Sequence, residues 1–128
     1  MQTDQVKDLK NGQAVAKAMV VIFSFQDSDN FIGYSPQLDI SGYGKTQKEA
    51  LSSFDYCLAG FLDYSVKKET LLDELICLGW KLKKGTNNNL KQIKAPSWSD
   101  LIKKNQSLKV LLSEYNINTQ QREVEFPV

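Results

Sequence analysis

The stretch Ala18-Met19-Val20-Val21-Ile22-Phe23-Ser24-Phe25 constrains the fold more than any other part of this chain. It is almost continuously apolar and rich in β-branched and aromatic residues, which suit a pleated surface. A strand that is apolar on both faces needs cover on both, so the run predicts a central strand. The residues that follow build a sheet around it. Gln26-Asp27-Ser28-Asp29-Asn30 is turn chemistry, because short polar side chains bond the nearby backbone. Phe31-Ile32-Gly33-Tyr34-Ser35 predicts a second strand, and Pro36 ends it by removing a ladder donor. From Leu38 to Gly44 the pattern alternates, with Leu38, Ile40 and Gly42 on one face and Asp39, Ser41 and Tyr43 on the other, which predicts a third strand.

Thr46-Gln47-Lys48-Glu49 is a capping box. The threonine oxygen can accept from the amide three residues on, and the glutamate can reach back to the threonine amide. The helix it opens, 46–64, carries Ala50, Leu51, Phe54, Leu58, Phe61 and Leu62 as one apolar stripe, and that stripe must cover one face of the sheet. A second helix is expected over 70–78, with Gly79 placed to stop it in the left-handed conformation. Trp80-Lys81-Leu82 reads as extended, and Lys83 to Asn89 as an exposed loop. Ser97, with Asp100 three residues later, caps a third helix. Arg122 to Val128 alternates and predicts a last strand that adds to the sheet. The expectation is therefore an α+β fold: a three-stranded antiparallel sheet plus a C-terminal strand, covered by helices. Residues 1–17 are polar and read as a mobile or loosely docked arm. Residues 18–128 read as a single domain with a C-terminal helix-strand extension. With one covering helix, an edge and part of a face would stay open, so a homo-oligomer is expected.

The length of 128 residues fits one domain. The chain has no histidine, which removes imidazole general bases and Ser–His or Cys–His pairs. Cys57 and Cys77 cannot make a metal cage unaided, and their apolar helical context reads as core thiol. No catalytic residue, metal or cofactor is expected. The first residues are polar, and no apolar run approaches the roughly 18 residues that span a bilayer, so the expected location is cytoplasmic.

Two segments carry a family resemblance: Phe31-Ile32-Gly33-Tyr34-Ser35-Pro36-Gln37-Leu38 and Gly44-Lys45-Thr46-Gln47-Lys48-Glu49-Ala50-Leu51. A tyrosine-bearing strand, a Pro-x-Leu corner and a Gly-x-Thr-x-x-Glu-Ala helix entry resemble the HicB family of toxin-antitoxin antitoxins, over roughly residues 18–65. The resemblance implies a partial RNase H-like fold without a nuclease site. It also implies a partner, a small basic toxin ribonuclease of the HicA type, which the antitoxin binds and silences. Two positions depart from the family pattern: Asp39-Ile40 stands where Pro-Gly is common, and Lys45 where an acid is common. Residues 66–128 read as neither a helix-turn-helix nor a ribbon-helix-helix, which argues against operator DNA as a partner.

Charge divides the chain. Residues 27–74 hold nine acids and four lysines, whereas 81–109 hold eight lysines and one acid. The acidic part suits a partner that presents lysines and arginines to RNA phosphates. On that reading Phe31, Tyr34 and Tyr43 are the expected anchors, and Asp27, Asp29 and Asp39 steer association. The lysine-rich part lacks arginine and has few aromatics, so it reads as a solvated face rather than a base-reading one. Two alternatives stand beside the antitoxin reading. One is a structural or regulatory domain of the same fold with no toxin. The less favoured one is a metal-dependent nuclease using Asp27, Asp29, Asp39 and Asp55, which requires those carboxylates to converge.

Overall fold

The computed structural model describes residues 3–10, 13–84 and 90–127, with side chains from 16 to 83 and from 93 to 127. The fold is α+β. In chain order the strands are β1 (Thr3–Lys10), β2 (Gln13–Asp27), β3 (Asn30–Ser35) and β4 (Ile40–Gly44). Helices α1 (Gln47–Lys67) and α2 (Leu71–Cys77) come next, then β5 (Lys81–Lys84) and β6 (Leu90–Lys94). Helices α3 (Trp98–Lys104) and α4 (Gln106–Glu114) and strand β7 (Asn118–Pro127) complete it. All strand pairs are antiparallel, in the order β4-β3-β2-β1-β6-β5, with β7 paired to β2.

The central strand is where the sequence put it, but it is longer. Val15 and Ala16 pair with β1 and β7 at once, and Phe23 and Ser24 pair with β3 and β7 at once. One edge of β2 therefore belongs to β7, while β1 and β3 share the other. Between them, residues 17–22 have no strand on that shared edge among the described residues. A side chain takes the place of one: the Val21 N–H donates to Gln37 Oε1 at 2.7 Å, and the Gln37 carbonyl accepts from Trp80 Nε1–H at 2.8 Å. Gln37 is itself buried, so the amide satisfies a buried backbone donor that would otherwise be orphaned.

Strand alternation divides the core. Ala16, Ala18, Val20 and Ile22 point to the α1–α2 side and pack with Phe54, Leu58, Leu71, Leu75, Val124 and Phe126. Val21 and Phe23 point to the other side, against Trp98, Leu101, Leu108 and Leu111 of α3 and α4. Phe23 stacks on Trp98 with ring centroids 5.7 Å apart, and Phe25 meets Tyr115 at 5.1 Å. Both faces of β2 are covered, as its composition requires. The open part of a face is therefore not over β2 but at the sheet margin, where β4 is left uncovered on the α3–α4 side.

Helix α1 begins as expected. Thr46 is extended, and its Oγ1 accepts from the Glu49 N–H at 3.1 Å. The return bond lands one residue earlier than expected: Glu49 Oε2 accepts from the Lys45 N–H at 2.7 Å, not from Thr46. Replacing Thr46 with alanine should cost about 1 kcal/mol. Urea titration checks this, and an unchanged midpoint would show that the cap does not hold the helix. Gly79 takes φ +98° after α2, as expected. The single helix expected from Ser97 is two helices, because Asn105 stops α3 and its Oδ1 caps α4 through the Leu108 N–H at 3.3 Å.

Other expectations need correction. The polar arm 1–17 is not an arm over its described part: 3–10 form β1 and 13–17 begin β2. Polar residues there misread as loop, since the ladder needs only backbone groups. Lys83 and Lys84 belong to β5, and the rest of the expected loop, 85–89, lies outside the described residues. Cys57 and Cys77 are free and exposed rather than core, because each falls off the buried stripe of its helix. Tyr56 and Tyr64 are 82% and 62% exposed on the outside of α1.

Candidate functional site

Cross-strand pairing decides which side chains share a face, since directly opposed residues point the same way. Tyr34 lies opposite Phe23 and Ser41, and Ile32 opposite Phe25 and Tyr43. Ile32, Tyr34, Ser41 and Tyr43 therefore share the α3–α4 side of the sheet. These two helices pack over Phe23 and Val21 but leave β4 uncovered, and Tyr43 is 62% exposed. A pocket of about 220 Å³ opens at the margin of the helix pair, lined by Phe25, Ile32, Tyr34, Ser41, Asn105 and Leu111.

Tyr34 is the best-held polar group of this face. Its hydroxyl donates to Asp39 Oδ1 at 3.0 Å and lies 3.4 Å from Asn105 Nδ2, which donates to it. Asp39 reaches this position from the turn before β4, where it adopts φ +53°. Such a left-handed conformation is tolerated best by Gly, Asn and Asp. Asn105 serves two roles, capping α4 with its oxygen and meeting Tyr34 with its nitrogen. Tyr43 and Ser41 add a hydroxyl pair at 3.4 Å. Partial burial, then the charge and hydrogen bond of Asp39, push the Tyr34 phenol up to about 12, while Asn105 pulls the other way.

That shift has a pH consequence. The folded phenol holds its proton to higher pH than the unfolded one, which titrates near the ordinary value of 10. Its contribution to stability is therefore complete below pH 10 and is lost as pH rises from 10 towards 12. Tyr34→Phe should flatten the fall in stability across that window. Thermal melts of both proteins from pH 9 to 12 check this, and identical slopes would overturn it.

The structure brings together three of the six residues expected to bind a partner: Tyr34, Asp39 and Tyr43. The other three lie elsewhere. Phe31 sits opposite Gln26 and Gly44, on the α1 side of the sheet. The strand period of two forbids Phe31 and Tyr34 from sharing a face. Phe31 instead lines a separate pocket of about 480 Å³ with Ser24, Gln26, Gln47, Tyr115 and Asn118. Asp27 ends β2 and Asp29 lies in the β2–β3 turn, at the opposite end of β3 from Asp39, so roughly 20 Å of strand separates them. Asp27 accepts from the Tyr115 hydroxyl at 3.4 Å.

Asn105, Ser41 and Ile32 were not anticipated. Ser41 and Ile32 follow from the alternation once Tyr34 is placed. Asn105 is 71 positions from Tyr34, and no local signal joins them.

The carboxylates of the nuclease reading do not converge. Asp39 binds Tyr34, Asp27 binds Tyr115, and Asp55 pairs with Arg122 on β7. Among the described residues no cluster of three or more Cys, Asp or Glu could hold a metal ion. No described helix is long and apolar enough to cross a membrane. No protein-family model, curated protein or solved structure matches the chain.

Proposed function

We propose that this protein is an antitoxin-like binding protein of the cytoplasm, with a partial RNase H-like HicB fold. It neutralises a small basic HicA-type ribonuclease by protein–protein contact and does no chemistry of its own. The observation that carries the proposal is the uncovered β3–β4 face, with an exposed tyrosine, a half-buried tyrosine held by an aspartate, and a pocket beside them. Tyrosine supplies large contact area at low entropic cost, and an acid at the rim speeds encounter with a basic surface. Tyr34 and Tyr43 are the anchors and Asp39 the nearby steering charge. Phe31 lies outside this face, and Asp27 with Asp29 steer only from its far end. The protein also associates with itself, and operator DNA is not among its partners.

Binding kinetics with a HicA-type ribonuclease from the native host test this reading. Tyr43→Ala should speed dissociation by about tenfold, because truncating an anchor is felt mainly in the off-rate. Asp27→Asn with Asp29→Asn should slow association, and so should added salt. If the wild-type protein fails to bind such a ribonuclease or to stop its RNA cleavage, the antitoxin reading falls. A structural or regulatory domain of the same fold would then be the better account.

A further inference from the structure

Among the described residues three strands have a single neighbour in the sheet: β4, β5 and β7. An unpaired edge is a template for another chain, and stable monomers blunt it with lysines, prolines, bulges or covering elements. Two of these edges are blunted. Strand β4 has only five residues and lies under α1, whose Ser53 Oγ takes the outward Tyr43 N–H at 3.1 Å. Strand β5 is Lys81-Leu82-Lys83-Lys84, with a register shift between its last two residues. Strand β7 has none of these devices from Asn118 to Gln121, and its charges, Arg122, Glu123 and Glu125, all fall beyond that stretch. Its ten residues follow β2 in unbroken register, it has no lysine, and its one proline is the last residue. Asn118, Thr119, Gln120 and Gln121 are exposed and uncharged.

We infer that the outer edge of β7 docks a second copy of this chain, antiparallel, across a twofold axis normal to the sheet. The inference rests on the self-association in the proposed function but not on any ribonuclease. In such a pair opposed residues share a face, so the axis passes beside one residue that meets its own copy. Charge selects that residue. An axis at Arg122 or Glu123 sets like charges against each other, and one at Val124 sets Glu123 against Glu125. Like charges directly opposed are destabilising. An axis at Gln121 sets amide against amide, with Gln120 opposite Arg122, Thr119 opposite Glu123, and Asn118 opposite Val124. Arg122 is already neutralised by Asp55 of its own chain. This register pairs the whole span 118–124 without a like-charge contact, and an axis at Gln120 would shorten it.

Sedimentation of the full chain alone, with amide hydrogen exchange, tests the inference. A dimer is expected at high micromolar concentration, with exchange over 118–124 slowing as concentration rises. Gln121→Lys sets two ammonium groups at the axis and should weaken the dimer about fivefold, with partial recovery in high salt. Glu123→Gln should leave it intact. A monomer at every concentration overturns the inference, as does a dimer whose concentration-dependent protection lies outside 118–124. If Gln121→Lys fails to fold, the exchange pattern of the unaltered protein decides alone. A chain that is monomeric by itself yet inhibits the ribonuclease would sink the dimer and leave the antitoxin reading standing.

Discussion

Gly42→Ala is expected to remove a large part of the stability of the protein. A β-carbon at that position would lie 2.2 Å from the Phe54 nitrogen, 2.7 Å from the Ala50 oxygen and 2.7 Å from the Ser53 carbonyl carbon. All three atoms are helix backbone, so no rotamer change relieves the contact. Either α1 rises from β4 or β4 bends away. Overpacking costs about 1–3 kcal/mol where side chains can yield, and here only backbone can, which puts the cost at the upper end or above. A domain of this size has about 5–15 kcal/mol to lose. A urea midpoint equal to that of the wild type would mean that α1 does not sit on Gly42. Gly44 is similarly placed, with a β-carbon there 2.4 Å from the Glu49 β-carbon, so the two glycines together form the floor on which the helix starts.

The second large effect is expected from Phe54→Ala. Phe54 is fully buried, at 0% exposure, in the cluster that joins α1 to Val20, Ile22, Ile40 and Leu75. Removing its ring forfeits the transfer energy and leaves a cavity, for about 3–5 kcal/mol. Phe61, one turn past Leu58, only packs against the cluster and stays partly exposed. Phe61→Ala should therefore cost clearly less. Chemical denaturation of both variants checks the order, and equal losses would show that the helix rolls so as to bury both rings.

What was legible in the sequence followed from local periodicity. The run 18–25, the Asp/Asn turn, the alternation from Leu38 and the Thr46 cap each state their structure within a few residues, and β2 to α1 appear in that order at these signals, although β2 is longer and β4 begins at Ile40, because Leu38 and Asp39 belong to the turn before it. Phe54, Leu58, Leu38 and Ile40 were legible as core for the same reason. What was missed depended on partners distant in sequence. Strand β1 carries too few apolar residues to announce itself and exists by pairing with β2 and β6. Gln37 looks like an ordinary turn residue, and only the gap on the edge of β2 explains its burial. At the candidate site, Tyr34, Tyr43 and Asp39 were found by residue type, whereas grouping Phe31 with them ignored the parity of β3. Asp55 looked available until β7 brought Arg122 to it.

The ladder between β2 and β7 sets Val15 opposite Pro127 and Ser24 opposite Asn118. The central strand thus takes its longest partner from the opposite end of the described chain, and ribosomes make proteins in one direction. At about 5–20 residues per second, β2 leaves the ribosome on the order of ten seconds before β7 does. In that interval β3, β4 and α1 can already assemble against one side of β2, while its β7 edge stays bare and strongly apolar. The nascent chain is therefore most exposed to mispairing and most dependent on chaperones late in translation, and a ribosome that stalls before residue 118 releases a fragment whose central strand has lost its longest partner.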